Sequence, residues 1–154
     1  MTSLTFRSAE KTDLPAIVAL LADDDLGKSR ENKAAEAMPR YERAFDRIKA
    51  QGSGCDLIVG LIGERIVGML LFSVLPGLSF QGTTRAQVEE VRVASDLRSK
   101  GIGTKLMAHA EQKAKEAGCG VIQLTSNRAR TRAHRFYERK GYVASHYGFK
   151  KAVQ

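Results

Sequence analysis

Two cysteines in 154 residues leave little room for covalent or metal chemistry. Cys55 and Cys119 stand far apart, with no CxxC and no Cys/His grouping. They read as reduced thiols, not as a disulfide framework or a metal site. No apolar run approaches the length that spans a bilayer. The opening stretch MTSLTFRSAEK has neither signal-peptide anatomy nor an anchor. These absences lead to the expectation of a cytoplasmic chain that uses no metal and no membrane. Repeats, low-complexity segments and linkers are also missing, so a single domain over 1–154 is expected.

What is present is an ordinary globular composition, 43% hydrophobic and 27% charged. Twenty-five basic residues against 17 acidic ones give a formal charge of +8. A basic balance favours anionic partners, either nucleic acid or a polyphosphate ligand. No helix-turn-helix pairing or zinc spacing supports the first.

Leu4 to Arg7 alternates and reads as a short strand. Thr12 reads as an N-cap, with Pro15 in the first turn of a helix carrying Leu14, Ile17, Val18 and Leu21 on one face. A second helix is expected from Glu31 or Lys33 to Ala50. Asp56 to Leu61 and Arg65 to Leu75 form a probable hairpin turning at Ile62-Gly63-Glu64. Further strands are expected at Ala86 to Val93 and Gly120 to Thr125, with one or two more over Tyr142 to Phe149. Helices are expected over Gly101 to Ala117 and Arg130 to Lys140, each closed by a glycine. The order β-α-α-β-β-β-α-β-α-β places the chain in the α/β or α+β class with a mixed sheet.

The stretch VEEVRVASDLRSKGIGTKL, Val88 to Leu106, carries the chemistry. A dinucleotide fingerprint needs GxGxxG, and Leu106 stands where the third glycine belongs. A P-loop needs its lysine after the glycine, and Lys100 precedes Gly101. What survives is a strand, a turn and a helix start. First-turn amides and the helix dipole favour an anion there, and Arg98, Lys100 and Lys105 add charge. Gly101 and Gly103 let a phosphate approach the backbone closely. The bland alternative is a tight turn that merely packs helix on sheet.

RSKGIG, Arg98 to Gly103, fits [R/Q]xxGx[G/A]. Ala133 to Tyr142, AHRFYERKGY, is similar to an AxxFYexxGF signature. Both motifs, in this order and on these elements, resemble the GCN5-related N-acetyltransferase (GNAT) superfamily over nearly the whole chain. The resemblance implies six to seven mostly antiparallel strands flanked by about four helices. It implies acetyl-CoA as cosubstrate, with its pyrophosphate on Arg98, Ser99, Lys100, Gly101, Ile102, Gly103 and Thr104. Main-chain groups of Val91, Arg92 and Val93 would pair with the pantetheine arm. Tyr137 would donate a proton to the leaving thiolate, beside Phe136 as a packing ring. Glu89 is preferred as base by its place in the motif and Glu90 is second; neighbours on a strand face opposite ways unless a bulge intervenes, so the two would not serve equally.

Two departures from the family pattern stand out. Ser99 replaces a common glycine and is expected to keep a negative φ. Arg130 stands where an asparagine is usual, with Asn127 one helical turn earlier, so either is a candidate to hold the cofactor. Asp23, Asp24, Asp25 and Glu31 are candidates to draw in a cationic amine, with Leu78-Ser79-Phe80 as a second wall. The expected function is acetyl transfer to a primary amine, most simply of a small molecule. A protein acceptor, or an acyl-CoA-sensing regulator without turnover, stays open. Members of the family often pair as dimers, and no stretch of sequence identifies an interface.

Overall fold

A computed structural model of the chain describes residues 3–154, so Met1 and Thr2 lie outside the description. Contacts divide the chain into two compact units, Met1–Gln123 and Leu124–Gln154.

The first unit is built on a sheet of order β1-β2-β3-β4-β5: Leu4–Ser8, Cys55–Ile62, Arg65–Leu75, Arg85–Val93 and Val121–Leu124. The first four strands pair antiparallel in succession. β2 reads CDLIVGLI, an almost continuous apolar run with six of its eight residues buried. Such a run belongs in a strand covered on both faces. On one face, Leu57, Val59, Leu61 and Met69 meet Leu14, Ile17 and Leu20 of α1 (Leu14–Ala22) and Phe45 of α2 (Met38–Lys49). α4 (Ile102–Glu116) packs on β3 and β4 and buries Ile102, Leu106, Met107, Ala110 and Ala114. These stand at helical spacing, so one stripe of α4 supplies its share of the core. The remaining helix of this unit, α3 (Ser79–Gly82), is a single turn with left-handed φ at Phe80 and Gln81.

Several elements sit where the sequence puts them, and three do not. Glu10 rather than Thr12 stands at the start of the first turn, a 3-10 piece over Lys11–Asp13. Asp13 explains the difference: its carboxylate accepts the Glu10 N–H at 2.8 Å and a bidentate pair from Arg7 at 2.6 and 3.0 Å. α2 begins at Met38, not at Glu31 or Lys33. Pro39 fits the first turn of a helix, where its missing N–H costs nothing, and Ala35–Ala37 ahead of it form a 3-10 turn.

The third difference is the sheet itself, which has five strands rather than six or seven. In the second unit, α5 (Thr131–Arg139) closes in a Schellman motif: Tyr142 N–H bonds Tyr137 O at 3.1 Å and Gly141 N–H bonds Glu138 O at 3.0 Å. Beyond it, Tyr142 to Phe149 carries no strand. Val143, Tyr147 and Phe149 are exposed. A strand needs a neighbour to meet its backbone groups.

Candidate active site

β4 does not run straight. Leu71 faces Glu89 and Met69 faces Arg92, so Leu70 alone stands opposite Glu90 and Val91. That is a bulge, and Glu90 takes the left-handed φ of 55° that accompanies it. Alternation breaks at this point: Val88 is buried, while Glu89 and Glu90 both reach solvent. Glu90 nonetheless sits among enough protein to be partly desolvated. That desolvation, with Glu89 and Glu31 nearby, raises its carboxyl above the usual range against the pull of Arg92.

Downstream of the bulge, the chain passes through Ser95–Leu97 to the start of α4. Lys105 N–H makes the first helical bond, to Gly101 O at 3.1 Å. The amides of Ile102, Gly103 and Thr104 therefore have no acceptor within the helix. Gly101 lies at φ 82°, in the left-handed region, and a Cβ built there would meet nothing within 4 Å. Ser99 also has positive φ, 64°, against the expectation of a negative one. Two reversals of hand, one residue apart, set up the abrupt entry into the helix, and the first falls on a serine where glycine is the unstrained choice. Lys100 and Lys105 flank the entry. They line a concavity of about 400 Å³ together with Leu4, Ile62, Leu97 and Ile102. A larger one, about 720 Å³, lies against α1 and the β2–β3 turn, with Asp23 the one expected site residue in its lining.

Arg98 does not project freely at this entry. Its guanidinium donates to Val93 O at 3.2 Å and to Asp23 O. The Asp23 carboxylate accepts Ser95 N–H at 2.8 Å. Asp24 accepts Gly27 N–H and lies 3.3 Å from the Arg92 guanidinium, with both side chains largely buried. Gly27 is required there, because a Cβ would lie 1.9 Å from Leu21 O. Asp23 and Asp24 are thus fasteners between the end of α1 and the β4–α4 segment. Sequence reading offered them as candidates to draw in the acceptor, and their distance along the chain from Arg92 to Arg98 hid these partners. Asp25 is exposed beside Lys28 at 3.4 Å. Glu31 accepts the Tyr41 hydroxyl at 2.8 Å, and that hydroxyl accepts Asn32 N–H at 3.1 Å.

In the second unit, Asn127 forms an Asx turn. Its side-chain oxygen accepts Ala129 N–H at 2.9 Å, and its carbonyl accepts Arg130 N–H at 2.9 Å and lies 2.9 Å from His134 Nε2. Arg130 takes the residue before α5. Tyr137 packs edge-on between Phe136 at 5.2 Å and Tyr142 at 5.8 Å. The Tyr142 contact is the ring pair expected of its Schellman positions.

Among the described residues no cluster of three or more His, Cys, Asp or Glu could hold a metal ion. No helix among them is long and apolar enough to cross a membrane.

Comparison with known proteins bears on this geometry. Residues 18–142 match the acetyltransferase (GNAT) family. An aminoalkylphosphonate N-acetyltransferase of Salmonella typhimurium is 42% identical over 67 residues, 44% of each chain. Two Bacillus subtilis relatives match over 59% and 34% of their lengths, so the chain spans less than two thirds of these curated relatives. A crystal structure described as a transcriptional regulator from Bacillus halodurans is 44% identical. It superposes with a TM-score of 0.93 over 98% of this chain and 100% of that one. A glucosamine-6-phosphate N-acetyltransferase from Arabidopsis thaliana, 19% identical, has the same fold at a TM-score of 0.79 over 99% of both chains.

Proposed function

The chain belongs to the GNAT acetyltransferase family, and on that premise we propose that 1–154 acts as one enzyme domain transferring acetyl from acetyl-CoA to a primary amine of a small molecule. The observation that carries this reading is the start of α4: three first-turn amides without helical acceptors, Gly101 at positive φ, and Lys100 and Lys105 beside them. Those groups fit a pyrophosphate, which a helix N-terminus and two ammonium groups hold together. The cosubstrate supplies an acetyl thioester. The bulge interrupts the β3–β4 ladder at Glu90 and Val91, and a strand opened in this way suits an extended amide-bearing arm.

An alkylamine of pKa about 10.4 is neutral in only about one molecule in a thousand near pH 7. A base must therefore take its proton. Glu90 suits this task, because a carboxyl raised by burial and by Glu89 binds a proton more readily. The sequence expectation placed Glu89 first; Glu90 occupies the bulge. Tyr137 is the proposed proton donor to the leaving thiolate, by its place in the FYE motif. Arg98, engaged by two carbonyls, acts as a positioning residue for the turn. Glu31 and Glu90 together favour a cationic acceptor. Aminoalkylphosphonates, the class named for the Salmonella relative, lead the panel to be tried, followed by polyamines and aminoglycosides.

Acetyl-CoA is expected to raise the melting temperature, and Gly103→Glu to abolish that rise by placing a carboxylate in the anion site. An amine panel read by thiol release is expected to find turnover that falls sharply in Tyr137→Phe. No thermal shift at millimolar acetyl-CoA would sink the proposal.

The description of the Bacillus halodurans relative as a transcriptional regulator favours one second reading, an acyl-CoA sensor without turnover. Acetyl-CoA binding with no thiol release on any amine is the result that selects it.

A further inference from the structure

Residues directly opposite each other on neighbouring strands share a face of the sheet, so register fixes which side each residue of β4 takes. Arg85, Gln87 and Glu89 stand opposite Leu75, Ser73 and Leu71. Leu71 packs against the cluster that α1 and α2 form with the sheet. Ala86 and Val88 belong to the other side and are fully buried. Val88 stands opposite Phe72, whose ring lies 5.8 Å from Nζ of Lys113 on α4. The first set therefore occupies the α1/α2 side. That side is apolar through Leu57, Val59 and Met69 and turns polar toward the start of β4. One polar row crosses four strands there. Cys55 Sγ lies 3.4 Å from Ser73 Oγ, Ser73 stands opposite Gln87, and Gln123 of β5 donates to Gln87 Oε1 at 2.7 Å.

Gln87 and Gln123 are both half-buried. Each side-chain amide has two N–H donors and an oxygen that accepts. One bond between them leaves the Gln87 donors and the Gln123 oxygen over, and half-burial of such groups costs free energy unless a partner meets them. The rest of β4 gives the row a direction. Arg85 is exposed, and among the described residues no carboxylate pairs with it. Along the strand the order is a guanidinium, an amide with free donors, then the carboxylates of Glu89 and Glu90. Arg85 and Glu89 are about 13 Å apart at their Cα atoms, at roughly 3.3 Å per residue. Long side chains at both ends narrow that gap to the length of a short carbon chain.

Resting on the acetyl-transfer reading above, we propose that Arg85 and Gln87 are specificity-determining residues for the acceptor, which is a short zwitterionic amine. Its oxyanion end, a phosphonate or a carboxylate, takes the Arg85 guanidinium and the Gln87 amide donors. Its ammonium lies at Glu89 and Glu90. Guanidinium and amide donors match an oxyanion because both present N–H groups and neither needs to give up a proton. A polyamine meets like charge at Arg85 and is disfavoured, and a neutral amine gains nothing there. An aminoalkylphosphonate, the class named for the Salmonella relative, has the charge order of the row.

Thiol release with aminoethylphosphonate, β-alanine and ethanolamine compares acceptors that share a carbon chain and differ in the end group. The wild type is expected to show a lower KM for the two acids than for ethanolamine, and the tighter acid identifies the end group. Arg85→Gln is expected to raise the KM for the acids by about tenfold or more, as loss of a charge-assisted contact does, and that for ethanolamine far less. The effect falls on KM rather than kcat, the mark of lost ground-state binding. Arg85→Lys is expected to recover part of the loss, and Gln87→Leu to raise the same KM severalfold. Calorimetry of aminoethylphosphonate on the chain loaded with coenzyme A reads these contacts without turnover. Absence of thiol release on every amine defeats the acetyl-transfer reading, whereas absence of calorimetric binding defeats this one. Binding that survives Arg85→Gln, or wild-type binding no tighter than that of ethanolamine, overturns the proposal. So does an equal rise in KM for ethanolamine, which makes the row a feature of the fold alone.

Discussion

Ser99→Gly is a substitution whose sign follows from one backbone angle. Ser99 is held at φ 64°. For an L-residue the left-handed region costs roughly 1–2 kcal/mol, because Cβ crowds the following carbonyl. Glycine has no Cβ and enters the region freely. The folded state therefore gains about that amount. Glycine also widens the conformational freedom of the unfolded chain, which returns about 0.4–1 kcal/mol to the unfolded side. The difference leaves a net stabilisation of about 0.5–1 kcal/mol. In a chain of this size each kcal/mol moves the melting temperature by about 2–4 °C, so the rise is about 1–4 °C.

Urea unfolding is the sharper assay, because a midpoint that rises at constant slope isolates stability from any change in compactness. Ser99→Val is the matched control. A β-branched residue is a genuine outlier at positive φ, so the midpoint is expected to fall. A Ser99→Gly midpoint at or below wild type, or a valine variant as stable as the serine protein, refutes the assignment of strain to this turn.

Two further outcomes test the neighbouring side chains. Glu90 has a carboxyl raised by desolvation first and by Glu89 second. Its folded form therefore holds a proton to higher pH than the unfolded form does. The stability tied to that proton is present below the ordinary glutamate pKa and is lost as pH rises through the folded value. Glu90→Gln is thus expected to raise the melting temperature near pH 7 to 8 with no gain near pH 4, while acetyl transfer falls by about 10² to 10⁴, the worth of a general base. Equal stabilisation at both pH values contradicts this. Arg98→Met removes two charge-assisted bonds to Val93 O and Asp23 O, each worth about 1.5–3 kcal/mol. Weaker acetyl-CoA binding by calorimetry is expected alongside the lost stability, and unchanged binding would assign Arg98 to the fold alone.

Much of this architecture was legible because its signals are local. Arg65 to Leu75 is the strand that its β-rich run predicts, and Gly63 at φ 61° makes the expected turn before it. α4 and α5 end at Gly118 and Gly141, whose positive φ closes each helix. The failures concern partners. Asp23 and Asp24 look like a solvated acidic triplet with Asp25. Nothing local announces that two of the three bind backbone and guanidinium groups some seventy residues away. The start of α2 was misplaced because the run before Met38 lacks any breaker of its own; Pro39 marks the first turn, where its missing N–H is tolerated. At Tyr142 to Phe149 one or two strands were expected, yet no ladder forms there.

The bulge at Glu90 joins these threads. Strand alternation by itself forces a choice between Glu89 and Glu90, since one must face the core side of the sheet with Val88. One extra residue in β4 removes the conflict, and both carboxylates reach solvent. Their proximity has a chemical consequence: desolvation first, and the Glu89 charge second, hold the proton on Glu90 to higher pH. A straight β4 would bury a carboxylate against the α4 core or turn it away from its neighbour. The left-handed residue at position 90 is thus what lets two adjacent acids on a strand reach solvent together.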